Sequence, residues 1–176
     1  MRHMMKMTLA ALASLALLPT AATAHTVKAP HPGKVVVLTY YPSGTFHGAV
    51  DIASGDGCNY WGVQTAVVGS VYWNITINSA TSVCIGDGSS LRNEARHIWA
   101  DGWSFRIWHF NKTASSYDRT CDRCQVGDEG ATGLANSLGP RTHLHQDKNG
   151  TRDTSWYAGL SVGDVVTTAT TLGALD

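Results

Sequence analysis

Apolar and polar positions alternate along this chain in short runs, and glycine, proline and asparagine separate the runs. Residues 34–41 are rich in valine and tyrosine and read as a strand closed by Pro42-Ser43-Gly44. Residues 46–53 read as a second, ending at the turn Ser54-Gly55-Asp56-Gly57. Val63, Thr65 and Val67 alternate with Gln64 and Ala66, and Gly69 permits a bend before Val71-Tyr72-Trp73. Further strands are predicted over 73–77 and, briefly, at Val83-Cys84-Ile85. Residues 95–99 and 103–109 flank Asp101-Gly102, a hairpin signal. In the second arm Trp103, Phe105, Ile107 and His109 share one face, because successive strand side chains point to opposite sides. Residues 111–140 are crowded with Gly, Ser, Thr, Asp and Asn and read as a long functional loop. A strand over 141–146, a turn at Lys148-Asn149-Gly150 and a last strand over 162–168 complete the pattern. Beyond the first two dozen residues nothing sustains a period of 3.6. The prediction is all-β: one domain built on an antiparallel sheet, with long loops around a cleft.

The first residues follow a different rule. Arg2 and Lys6 precede an apolar run over 9–18, then Pro19 and Ala22-Thr23-Ala24. This reads as a secretory signal, residues 1–24, with cleavage after Ala24 and a mature domain over 25–176. The protein is therefore expected outside the cytoplasm, extracellular or periplasmic. No later run is long and apolar enough for a membrane anchor. The chain has thirteen basic and thirteen acidic residues. Without Arg2 and Lys6, eleven basic residues face thirteen acids, a net charge of −2 with histidine neutral. No basic stripe marks a nucleic-acid surface. The chain is expected to act as a monomer.

Export changes the reading of Cys58, Cys84, Cys121 and Cys124, since disulfides persist in oxidising compartments. Three pairings exist; the simplest joins Cys58 to Cys84 and Cys121 to Cys124.

Candidate chemistry concentrates in histidine. In Thr142-His143-Leu144-His145 a strand projects His143 and His145 from one side. His47 and Asp51 are four apart, an even spacing that a strand also puts on one face. Bringing the two faces together lets two or three imidazoles meet one carboxylate. Three such ligands with an open position for water are the donor set of a catalytic zinc site. His109, ending a strand, suits delivery to the same place.

These motifs together resemble the M23 zinc metallopeptidases, the lysostaphin/LytM-type and beta-lytic enzymes. The resemblance covers roughly residues 35–150. It rests on His47-Gly48-Ala49-Val50-Asp51, on Ile107-Trp108-His109-Phe110, on Val126-Gly127-Asp128 with Thr132-Gly133, and on His143-Leu144-His145. The tail, with Lys148-Asn149-Gly150 and Trp156-Tyr157, is most similar to the beta-lytic branch. The resemblance implies a secreted zinc metalloendopeptidase that cuts peptide cross-links of bacterial peptidoglycan, Gly-rich or D-Ala-containing. It implies that His47, Asp51 and His145 hold Zn2+. His143 is then expected to take the proton of the attacking water, and His109 to donate to the oxyanion. Two departures stand out. The family runs Gly-Pro directly into His-x-His, whereas here Arg141-Thr142 follow Gly139-Pro140. Gln146-Asp147 stand where Phe-Glu is usual.

Two alternatives belong to other classes. The same fold can serve as a noncatalytic cell-wall-binding domain. A chain beginning at His25 could also hold copper through its amine, its ring and another histidine, as in oxidases of polysaccharides.

Overall fold

Among the described residues, 25–99 and 102–175 of this computed structural model, the regular structure is fourteen short strands with a 3-10 turn at Ser155–Tyr157. The predicted signal lies outside the described residues, as does Asp101 of the predicted hairpin turn. The strands are β1 (His25–Lys28), β2 (Gly33–Val37), β3 (Val50–Ala53), β4 (Gly62–Gln64), β5 (Val71–Thr76), β6 (Glu94–Ile98) and β7 (Trp103–Trp108). There follow β8 (Asn111–Lys112), β9 (Tyr117–Cys121), β10 (Gln125–Asp128), β11 (Thr142–Lys148), β12 (Thr151–Asp153), β13 (Val165–Val166) and β14 (Thr171–Leu175). The main sheet runs β13-β2-β3-β11-β7-β6-β5-β9, with β12 also on β11. Smaller sheets are β4-β10-β8 and β1-β14. Every pairing is antiparallel, as the alternating runs predict.

One apolar cluster joins the three sheets. The main sheet contributes Val35, Val50, Ile52, Trp73, Ile75, Phe105, Ile107 and Leu144, all essentially inaccessible. Val63 and Val126 enter from the second sheet, and Val27, Leu172 and Leu175 from the third. Burying such side chains is worth about 1.5–3 kcal/mol each, the main force holding the layers together. Because alternation sends Val50, Ile52, Ile107 and Leu144 inward, it leaves Asp51, Trp108, His143 and His145 on the opposite face of the central strands.

Some predicted elements are shorter, merged or absent. Of 46–53 only Val50–Ala53 is strand, so His47 stands before it. The two runs around Trp73 form one strand, β5. Val83-Cys84-Ile85 is not a strand. The supposed loop 111–140 contains β8, β9 and β10. Strand β9, Tyr117-Asp118-Arg119-Thr120-Cys121, pairs with β5 over five residues at the end of the sheet. Its residues are polar on both sides, so an edge strand leaves no alternation to read. Of 162–168 only Val165–Val166 is strand, and β14 follows it. The turn at Asn149-Gly150 holds: both residues have positive φ, 50° and 78°, the backbone of a type I′ hairpin joining β11 to β12.

Both disulfides have the simplest pairing, Cys58–Cys84 and Cys121–Cys124. The first spans 26 positions and ties the β4 region to the segment before β6. Closing a loop of this size restricts the unfolded chain by about 3 kcal/mol. Replacing both Cys58 and Cys84 with serine is expected to lower unfolding free energy by about that amount, read from denaturant midpoints. A double variant as stable as the parent would contradict it.

Candidate metal centre

Register decides which histidine meets Asp51. On one side of β11, Thr142, His143 and Leu144 face Ile52, Asp51 and Val50. On the other, His143 faces Trp108 and His145 faces Arg106. Directly opposed residues share a face and lie within about 5 Å. His143 is thus set between Asp51 and Trp108. His145 points to the same side, but two residues of strand carry it about 6.6 Å further along. There it has passed the start of β3 and faces the arginine.

His47 reaches the group by a turn. Gly48 has φ of 62°, a conformation glycine adopts at little cost. An added Cβ there would also run into Arg152 Cγ. The His47 backbone N–H and that of Gly48 both donate to Thr39 O. His109 is placed by another departure from the strand. Strict alternation would send it to the Phe105 and Ile107 face, but its φ of 76° ends the alternation, and its ring lies 5.7 Å from that of His143. A left-handed non-glycine residue is strained, a condition that clusters at functional sites.

The group itself is compact. His47 Nε2 is 3.1 Å from Asp51 Oδ1 and 3.0 Å from His143 Nδ1, and His143 Nδ1 is 2.9 Å from Asp51 Oδ1. All three side chains are buried. His47 Nδ1 donates to Leu38 O at 2.6 Å, so the neutral ring turns the Nε2 lone pair inward. Three ligand atoms, His47 Nε2, His143 Nδ1 and an Asp51 oxygen, therefore converge on one point. Zinc bonds of 2.0–2.1 Å at tetrahedral angles separate ligand atoms by about 3.3 Å. The observed triangle fits that face after an opening of a few tenths of an ångström. This donor set, two imidazoles and a carboxylate, can hold a metal ion.

Burial raises the Asp51 carboxyl, but the adjacent His143 and His47 rings outweigh it and hold the group well below the usual carboxylate range. Arg141 Nη1 is 3.7 Å from Asp51 Oδ2 and adds positive charge. Burial also lowers His143, against the pull of Asp51. Burial first, and His143 second, push His109 down to about 3. His109 Nδ1 donates to Thr132 O at 2.6 Å, so the neutral ring keeps its Nε2 lone pair free for chemistry.

Trp108 fixes the orientation of His143. Their rings stack 4.8 Å apart at 9°. Trp108 Nε1 donates to Glu94 Oε2 at 2.7 Å, and the Arg92 guanidinium covers its ring at 3.9 Å. His145 packs edge-on against the same indole at 4.2 Å. Its Nε2 lies 3.3 Å from Asp147 Oδ2.

The structure thus brings together His47, Asp51 and His143 and sets His109 beside them; His145 stands outside the group. The reason is the register of β11, which sets His143 opposite Asp51 and His145 opposite Arg106. Arg141, Trp108, Glu94 and Arg92 went unread as site residues. Only Arg141 had a usable signal, its place directly after Gly-Pro.

No family model matches the chain, and no curated protein matches it. Solved structures do. A chain from the SpoIIIAH and SpoIIQ complex is 15% identical, with 76% of this chain and 90% of that one covered and a TM-score of 0.42. Pseudoalterin, an M23 metalloprotease from the deep sea, is 17% identical over 90% of this chain and 94% of its own, with a TM-score of 0.42. The catalytic domain of the prophage-encoded M23 protein EnpA from Enterococcus faecalis, in mutant form, is 22% identical over 82% and 90%, with a TM-score of 0.39. At these values the resemblance is one of chain trace, and no residue role is carried over from it.

Proposed function

We propose that this chain is a secreted zinc metalloendopeptidase acting on the peptides of bacterial peptidoglycan, with His47, Asp51 and His143 as its metal ligands. The observation that carries the reading is the buried triangle of His47 Nε2, His143 Nδ1 and Asp51 Oδ1, each about 3 Å from the others. A zinc ion there would supply an acidified water and polarise the scissile carbonyl.

The chain's own residues do the rest. Leu38 O holds the His47 ring and Trp108 holds that of His143, the outer support that metal ligands require. His109 is neutral and takes the proton of the attacking water on Nε2, its other nitrogen being committed to Thr132 O. Arg141 sets its guanidinium beside the ligand carboxylate and stabilises the oxyanion. Arg92 and Arg152, both near the Trp108 ring, add charge suited to the carboxylates of wall peptides. Exposed Tyr40, Tyr41 and Phe46 beside His47 offer an apolar platform for substrate. Two disulfides agree with an address outside the cytoplasm.

One observation favours a second reading. The resembling motif has a histidine directly after Gly-Pro, where this chain has Arg141, and this favours a noncatalytic wall-binding domain as the alternative. Digestion of purified peptidoglycans of known cross-bridge, with mass analysis of the products, separates the two. The peptidase reading expects new amine termini at a cross-link, lost on chelation; sedimentation with the wall and no cleaved product would favour the binding domain.

A further inference from the structure

Away from this centre a second histidine pair lies between the first strand and the middle of the main sheet. His25 begins β1, and its ring centre is 5.9 Å from that of His97 in β6, with ring planes at 86°. His97 is 6% exposed. Its Nδ1 donates to Tyr72 O at 2.8 Å, so the neutral ring has its lone pair on Nε2. That Nε2 is buried and takes no protein hydrogen bond. A buried acceptor left without a partner costs about 1–3 kcal/mol. Nothing in the proposed peptidase chemistry uses it.

We infer that His25 and His97 form a copper site, completed by the α-amine of His25 once residues 1–24 are removed. Two imidazoles on one ion, each bound through nitrogen at about 2 Å, place their ring centres roughly 5–6 Å apart. The observed separation falls in that range. A terminal histidine offers amine and ring nitrogen from one residue, so cleavage after Ala24 would make a third nitrogen donor. A set of three nitrogens and no carboxylate favours copper over zinc, both by the stability order of divalent ions and by the tetragonal geometry copper(II) prefers. The pair is also held firmly. Trp99 stacks on His97 at 5.3 Å and 16°, and Trp73 lies 5.7 Å from it on the core side. The site is independent of the His47 centre, so either can stand without the other.

The test uses residues 25–176 with a free His25 amine verified by mass, first in a His143→Ala background to weaken the other centre. Copper(II) titration followed by calorimetry and electron paramagnetic resonance is expected to show one copper per chain with nitrogen hyperfine structure. His97→Phe, which keeps an aromatic ring between Trp73 and Trp99, is expected to weaken binding roughly a hundredfold. His25→Ala, at the half-buried first residue of β1, should do the same. Adding one glycine before His25 blocks the chelate and should weaken binding roughly tenfold or more while the imidazoles remain. Copper affinity and spectrum unchanged in His97→Phe would overturn the site, since binding would then belong to the chain terminus alone. Unchanged affinity in the glycine-extended chain would overturn the role of the amine.

Discussion

Replacing His143 with alanine is expected to abolish zinc binding, whereas replacing His145 with alanine should keep it. The two residues are two positions apart and point to the same side, yet β11 pairs with β3 so that His143 faces Asp51. Removing His143 takes away one of three ligands and leaves the buried Asp51 carboxylate with His47 as its remaining histidine partner. Loss of a ligand and of a buried hydrogen bond act in the same direction. His145 is fully buried against Trp108, so its truncation leaves a cavity and lowers stability by about 2 kcal/mol or more. Zinc per chain after dialysis, measured on both folded variants, decides between them. Zinc retained in His143→Ala and lost in His145→Ala would restore the ligand set that the sequence resemblance implies.

Arg141 carries the second large effect. Its guanidinium is 3.7 Å from the outer oxygen of Asp51, and its Nε donates to Gly139 O at 3.2 Å, which fixes the side chain over the site. If it meets the developing oxyanion, Arg141→Ala should retain zinc and lose turnover by roughly 10²–10³, the usual cost of removing one such donor. KM for a cross-link peptide should change far less, because the charge it answers exists only in the transition state. Arg141→His should recover part of the activity, since imidazole is what the resembling motif holds there. Equal loss of kcat in Arg141→Ala and Arg141→His, with zinc intact, would sink the role. So would full activity in Arg141→Ala.

The chemistry-bearing segments were readable because they follow strong local rules. His143 and His145 share a strand face by alternation, and Asn149-Gly150 makes the turn that such a pair makes elsewhere. The antiparallel all-β class followed from the same short alternating runs. What could not be read was register. Whether His143 or His145 faces Asp51 depends on a two-residue shift along β11, and both choices leave the same inward and outward pattern. The left-handed turns at Gly48 and His109 were also hidden, because they break the alternation from which side-chain direction was inferred. His47 reaches Asp51 through that turn and not along a strand. Strand β9 escaped notice because its polar residues form the sheet edge, where tertiary pairing with β5 decides and local pattern does not.

The central claim is that His47, Asp51 and His143 hold the metal. Anomalous diffraction at the zinc edge, from crystals of the zinc-loaded protein, tests it most directly. The expected result is one peak about 2.0–2.2 Å from His47 Nε2, an Asp51 carboxylate oxygen and His143 Nδ1. A peak bound to His145, or no peak among these three residues at full zinc loading, would contradict it.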